Sequence, residues 1–219
     1  MNSRKKIALL INEANDYFKN AEYEKSLEIT SELSKLYPKD IQIRISHALN
    51  ISKTGNSEKA LVILNEVEKF SYDNLFFYSA RAAINKLLGN KQQVILDYKS
   101  AYKLDKKNID VLVNLAGALG ENQEYQLGLE FCEKALEINK DDYIAIYNKG
   151  FMLMKLYRFK EASILMEKAN KIDSNHNTMK SLSVIYHNLG NKIKALNYEN
   201  KCDGSFIFYT DEKKYDLIQ

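Results

Sequence analysis

Three histidines, His47, His176 and His187, and two cysteines, Cys132 and Cys202, are the side chains best suited to metal or nucleophilic chemistry, and their spacing supports neither. No two histidines stand four apart, as on a zinc-binding helix face, and none lies near a cysteine pair. The two thiols are far apart and lack a partner motif, which argues against a disulfide framework or a Cys-rich metal site. The sequence contains no G-x-x-x-x-G-K-[ST] loop, no G-x-S-x-G elbow and no glycine-rich strand-to-helix junction, so nucleotide and acyl-transfer chemistry have no anchor. Acidic residues are abundant, but interleaved with lysine they read as solvated helix faces rather than as a general acid and base. The expectation is a protein that is not an enzyme, with no catalytic residue, cofactor or metal. Recognition is the chemistry left, carried by asparagines and exposed aromatics.

The elements that position those residues follow from composition. The 219 residues are 45% hydrophobic and 28% charged, enough to bury a core, and a single proline with eight glycines leaves few forced helix stops. Leu, Lys, Glu, Ala and Ile dominate, which favours helix throughout. The formal charge of +3 is dispersed, not blocked into a basic patch, so neither nucleic acid nor a membrane surface is an expected partner. Arg4, Lys5 and Lys6 precede only a short apolar stretch at residues 7–11, ended by Asn12 and Glu13, which is too short for a secretion signal. No stretch approaches the roughly 18 apolar residues of a membrane span. A reducing cytoplasm is the expected location.

Self-similarity runs nearly the length of the chain at an interval of 34. Ala14, Ala48, Ala82, Ala116 and Gly150 form one column, and Ser183 follows after 33. Ser26, Ala60, Val94, Gly128 and Ala162 form a second, followed after 33 by Ala195. Leu33, Val67, Ala101, Ala135, Ala169 and Cys202 form a third with the same slip. The implied blocks are 7–40, 41–74, 75–108, 109–142, 143–175 and 176–209, a single array over residues 1–209. Within each, an apolar helical pattern breaks near Asn20-Ala21-Glu22, Thr54-Gly55-Asn56, Leu88-Gly89-Asn90, Asn122-Gln123, Tyr157 and Leu189-Gly190-Asn191, and then resumes. Each block therefore reads as two antiparallel helices. Small residues in the first two columns allow close helix approach, with larger residues filling in around them, among them Tyr17, Tyr23, Leu36, Tyr98, Leu119, Phe131, Leu153, Phe159 and Ile172.

This period and pattern resemble the tetratricopeptide family, whose signature is W-x2-L-G-x2-Y, A-x3-F and P. Ala14-x2-Tyr17, Ser26, Leu33 and Pro38 carry the match in the first block; Gly150-x2-Leu153, Ala162 and Ala169 carry it in the fifth. Tryptophan is missing, and Tyr72, Lys106, Lys140 and Ser174 replace the terminal proline. The fold class implied is all-α, an α-solenoid of antiparallel helix pairs wound as a right-handed superhelix.

The resemblance also implies a concave face, lined by the first helix of each pair, that holds an extended or helical segment of a partner protein. The sixth position of each block is Asn12, Ser46, Ala80, Asn114, Asn148 and Ser181, small or amide-bearing throughout. It looks like the asparagine ladder with which some family members grip a peptide backbone, since an amide both donates and accepts. Asn15, Phe76, Tyr147 and Phe151 are neighbouring groove positions, and the aromatics offer an apolar shelf. At the places of the family's carboxylate clamp stand Ser79, Ala83, Asn114, Ile144 and Asn148, without one cation, which disfavours chaperone-tail binding.

The leading reading is thus an adaptor or scaffold, the alternative a structural module that self-associates through its array ends. Phe206, Ile207, Phe208 and Tyr209, in the tail at residues 203–219, are expected either to cap the last block in cis or to form a homodimer.

Overall fold

The computed structural model describes residues 3–202, with side chains from residue 5 onward. These residues fall into two compact units divided after Glu124. The first contains α1 (Ser3–Lys19), α2 (Tyr23–Leu36), α3 (Ile41–Lys53), α4 (Ser57–Val67), α5 (Leu75–Leu87), α6 (Lys91–Leu104) and α7 (Ile109–Glu121), with a 3-10 turn at Glu68–Phe70. The second contains α8 (Tyr125–Ile138), α9 (Tyr143–Lys155), α10 (Phe159–Ile172), α11 (His176–Asn188) and α12 (Lys192–Lys201). Among the described residues no strand occurs. The all-α reading holds, with consecutive helices packed on one another within each unit.

Every expected turn is present, and all six are built alike. The third residue from the end of one helix accepts the N–H two positions beyond its cap, as in Glu22 N to Tyr17 O at 2.9 Å, Asn90 N to Asn85 O at 2.9 Å and Arg158 N to Leu153 O at 2.9 Å. A residue with left-handed φ closes each of these turns: Ala21, Gly55, Gly89, Gln123, Tyr157 and Gly190. This is the Schellman arrangement, which satisfies the last carbonyls of the outgoing helix. Within each unit it returns the chain antiparallel to itself, so residues equidistant from the turn face each other. Ser26 Oγ donates to Ala14 O at 2.7 Å across the first such turn, and Arg81 meets Asp97 across the third.

The small-residue columns lie at these crossings. Ala14, Ala48, Ala82 and Ala116 are buried, as are Ser26, Ala60 and Val94 opposite them. In the second unit a Cβ added to Gly150 would stand 3.2 Å from both Cε and Cγ of Met166, so α9 and α10 approach as closely as side chains permit. The third column is buried throughout, from Leu33 to Cys202. Among the expected filler residues, Tyr98, Leu119, Phe131 and Leu153 are buried, whereas Leu36 and Ile172 are exposed at their helix ends, a correction. Each sits beside the C-terminal boundary of its helix, past the last inward-facing position.

The missing prolines are compensated by caps. Asp40, Asn74, Asn108, Asp142 and Asn175 each precede a first helix and accept the N–H three residues on, at 2.8–3.1 Å. Each satisfies an orphan donor and fixes where the helix begins. These residues keep the same intervals of 34 and then 33, a fourth column that the apolar pattern alone does not reveal.

Candidate partner-binding surfaces

In the first unit α1, α3 and α5 lie in succession, with α2 behind them. Because the buried alanines point each of these helices toward its partner, the adjacent positions are turned outward. Two adjoining chambers open there, of about 400 and 220 Å3. Asn15, Ser46 and Phe76 line both. Ile11, Ala14, Leu33 and Ile43 give the larger chamber an apolar wall, and Phe18, Leu49, Asn50 and Lys19 complete the smaller. Asn15 is exposed and Phe76 is 40% exposed, so the ring is available to a ligand. Asn12 is exposed on α1 but lines neither chamber. Asn114, on α7, is exposed, and its Nδ2 donates to Asp110 O one turn back at 2.8 Å.

In the second unit α9 carries a column of aromatic rings. Tyr143 stacks on Tyr147 at 6.1 Å between centroids, and Tyr147 on Phe151 at 6.5 Å, with interplanar angles of 25° and 17°. The i, i+4 spacing of a helix produces this alignment. Lys155 Nζ lies 5.4 Å from the Phe151 ring centre and extends the column by a cation. At the other end the Tyr143 hydroxyl accepts from Asn175 Nδ2 at 2.6 Å and pairs with Thr178 Oγ1 at 2.9 Å, which anchors the stack to α11. Tyr147, Asn148 and Phe151 are half-buried. The sixth-position column is not uniformly open: Ala80 is buried, and Ser181 is buried with its hydroxyl bonded to Asn177 O at 2.9 Å. Phe206, Ile207, Phe208 and Tyr209 lie outside the described residues.

Other reactive groups are occupied or sealed. The Cys132 thiol is fully buried, and that burial pushes its pKa up to about 12, far from thiolate chemistry. Burial pushes the His47 imidazole below its usual range, with Lys59, Arg44 and Lys35 adding repulsion, and its Nδ1 has no hydrogen-bond partner. Among the described residues no group of His, Cys, Asp and Glu could hold a metal ion, and no helix is long and apolar enough to cross a membrane.

Two polar clusters were not legible in the periodicity. In the first unit the Arg81 guanidinium grips Asp97 through Nε at 3.1 Å and Nη2 at 2.8 Å, and its Nη1 reaches Glu68 at 2.5 Å. Asn85 and Gln93 add donors to the same carboxylate at 3.4 and 3.0 Å, with Arg81 lying 4.8 Å from the Phe77 ring centre. Burial opposes the Arg81 charge, but the bonds to Asp97 and Glu68 outweigh it and raise the pKa. In the second unit Glu167 accepts a short hydrogen bond from the Tyr186 hydroxyl, which holds its carboxyl below the usual range, and Lys194 Nζ stands 3.0 Å from the same hydroxyl. The signal for the first cluster was an acidic residue in an otherwise apolar register position: Asp97, where Ile63 precedes and Phe131 follows.

The profile of the tetratricopeptide repeat matches residues 109–142, which cover α7 and α8. No curated protein matches the chain. Solved structures do, at low identity. MamA from Desulfovibrio magneticus RS-1 is 16% identical, with a TM-score of 0.68 over 74% of this chain and 92% of that one. YrrB, described as a tetratricopeptide protein with an unusual peptide-binding site, is 18% identical, with a TM-score of 0.64 over 79% of this chain and 90% of that one. A tetratricopeptide repeat protein from Parabacteroides merdae ATCC 43184 is 14% identical, with a TM-score of 0.74 over 90% and 78%. With its paired helices, recurrent Schellman turns and small-residue crossings, the chain has the all-α fold and helix order of tandem tetratricopeptide-repeat proteins and carries that repeat at residues 109–142.

Proposed function

We propose that the protein is an adaptor or scaffold that holds a segment of a partner protein on the face lined by its first helices. The observation that carries this reading is the open, largely apolar pair of chambers in the first unit, where Asn15, Ser46 and Phe76 converge from three successive first helices. The stacked rings of α9, with Asn148 beside them, offer a second recognition surface of the same kind in the second unit. Amides that both donate and accept suit a peptide backbone, and aromatic surface supplies the apolar contact that dominates binding energy at interfaces. The fold shared with YrrB supports peptide binding as the class of activity. Buried thiols accord with a reducing, cytoplasmic location. The test is affinity capture from native lysate with mass-spectrometric identification, repeated with Phe76→Ser and with Tyr147→Ser/Phe151→Ser. Retention of the captured protein falls in at least one of these variants while helical circular dichroism is kept; retention unchanged in both removes the groove from the reading.

A second reading, self-association through the C-terminal end, is favoured by one observation: Ile193 is 85% exposed on α12, with Leu196 beside it also exposed and Ile164 exposed on α10. Truncation after Lys201, followed by light scattering, distinguishes the forms. A dimer converted to a monomer supports the interface, a monomer that loses stability supports a cap formed by residues 203–219, and an unchanged monomer excludes both.

A further inference from the structure

We propose that the first unit carries a carboxylate-binding site on the side of its second helices, and that the ligand is a carboxylate on a short aliphatic stem, either a free organic acid or a glutamate side chain of another protein. An open pocket of about 810 Å3 lies there, with α4 and α6 as its walls and the buried Arg81 and Asn85 of α5 at its floor. Asn85 stands nine residues beyond Phe76, two and a half turns of α5 at about 100° per residue, so this pocket and the chambers use opposite sides of one helix. The site is therefore independent of the groove.

The Arg81 guanidinium is only 7% exposed, yet it lines the pocket and is within reach of a ligand. Of its five N–H groups, Asp97 takes two, through Nε and Nη2, and Glu68 takes one through Nη1; the other two meet no acceptor among the described residues. Glu68 shows what this position holds. Its carboxylate stands 2.5 Å from Nη1 while 54% of its side chain remains exposed, and an exposed ion pair contributes little, so a ligand carboxylate can take its place.

The groups around Arg81 name the same ligand. Asp97 balances Arg81 from α6, so once Glu68 turns out to solvent the pocket keeps the positive charge of Lys91, and one carboxylate restores neutrality. Among the described residues Lys91 Nζ is engaged only by Glu121 O at 3.5 Å, and the side-chain amides of Asn65 and Gln92 make no bond, which leaves three further donors at the rim. Leu61 on α4 is half-buried and Leu96 on α6 is 48% exposed, an apolar flank for the stem.

The experiment titrates the 15N-labelled full chain, at constant ionic strength, with sodium butyrate, acetyl-glutamate N-methylamide, inorganic phosphate and the neutral butyramide. It follows the Arg81 Nε–H and the side-chain amides of Asn65 and Gln92. Butyrate and the capped glutamate are expected to shift these resonances and to leave Asn15 still; tighter binding of the capped glutamate assigns the site to a protein side chain, and tighter binding of butyrate to a free acid. Glu68→Gln removes the competing carboxylate at the same size, so both ligands bind at least about threefold more tightly, and Lys91→Gln weakens both by about as much. A purely structural Arg81 cluster produces neither change, and both substitutions are at exposed positions, so the test does not depend on altering the buried pair. No shift at Arg81, Asn65 and Gln92, butyramide binding as well as butyrate, phosphate binding in preference to both carboxylates, or an affinity in Glu68→Gln no higher than in the wild type overturns the inference. None of these outcomes touches the groove reading.

Discussion

At the crossing of α5 and α6 in the first unit, Arg81 and Asp97 occupy the register positions that Lys149 and Leu165 hold, two repeat intervals later, at the crossing of α9 and α10 in the second. Arg81 turns inward to a buried carboxylate; Lys149 turns outward to Glu133 at 2.9 Å, where both groups touch solvent. Tyr98 beside Asp97 corresponds to Met166, which packs on Gly150. The contrast extends beyond this pair. Buried Ser26, Thr30, Asn50, Ser52, Ser71, Arg81, Asn85 and Asp97 all belong to the first unit, while only Thr178 and Ser181 are buried and polar among the described residues of the second. One backbone plan thus accepts a hydrogen-bonded interior or a close-packed one, because the register only requires that the crossing be filled and its polar groups paired.

The largest expected effect tests that pairing. Arg81→Leu leaves Asp97 buried without its main counter-charge and is expected to destabilise by about 3–5 kcal/mol in urea unfolding, whereas Lys149→Leu stays within about 0.5 kcal/mol. Adding Asp97→Leu to Arg81→Leu recovers most of the loss, since a buried ion pair replaced by apolar residues is commonly neutral. If the two single variants cost the same, the contrast between the units dissolves.

Next in size is overpacking. Gly150→Leu forces bulk against Met166, and Ala82→Leu does the same where α5 meets α6; each is expected to cost about 1–3 kcal/mol. Comparable losses show that the two crossings are equally close despite their different chemistry, and a melting temperature unmoved in either one shows that its crossing is loose. The turns come next. Gly89 has φ of +76° with nothing within 4 Å of an added Cβ, so Gly89→Ala meets only backbone strain and should cost about 1 kcal/mol. Tyr157, already left-handed, bears that strain now, and Tyr157→Gly is expected to be nearly neutral, because relief of strain is offset by the entropy of glycine.

The smallest effect separates the units by pH. Folding lowers the His47 pKa, so the unfolded chain binds more protons below about pH 6.5, and stability falls as pH drops from there toward the folded value. His47→Gln should flatten that part of the stability profile. A slope unchanged by the substitution assigns the pH dependence elsewhere.

The interval of 34 made the helix pairs, the turns and the buried columns readable from residue types alone, since a close crossing admits Ala, Ser or Gly and a repeated crossing repeats them. The capping column at Asp40, Asn74, Asn108, Asp142 and Asn175 was equally present in the sequence, but polar residues at helix ends look like any loop until their N–H partners are known. The candidate sites were readable only in part. Asn15 and Phe76 were legible as outward positions, because outwardness follows from the helical period. That Ser46 joins them while Ala80 and Ser181 of the same column are buried depends on how successive helices are rotated against one another, and only tertiary packing decides that. The same holds for Asn50. Its residue type marks a polar side chain on an otherwise apolar face, but whether its oxygen finds a partner is a matter of fractions of an ångström between α2 and α3, which no spacing along the chain encodes.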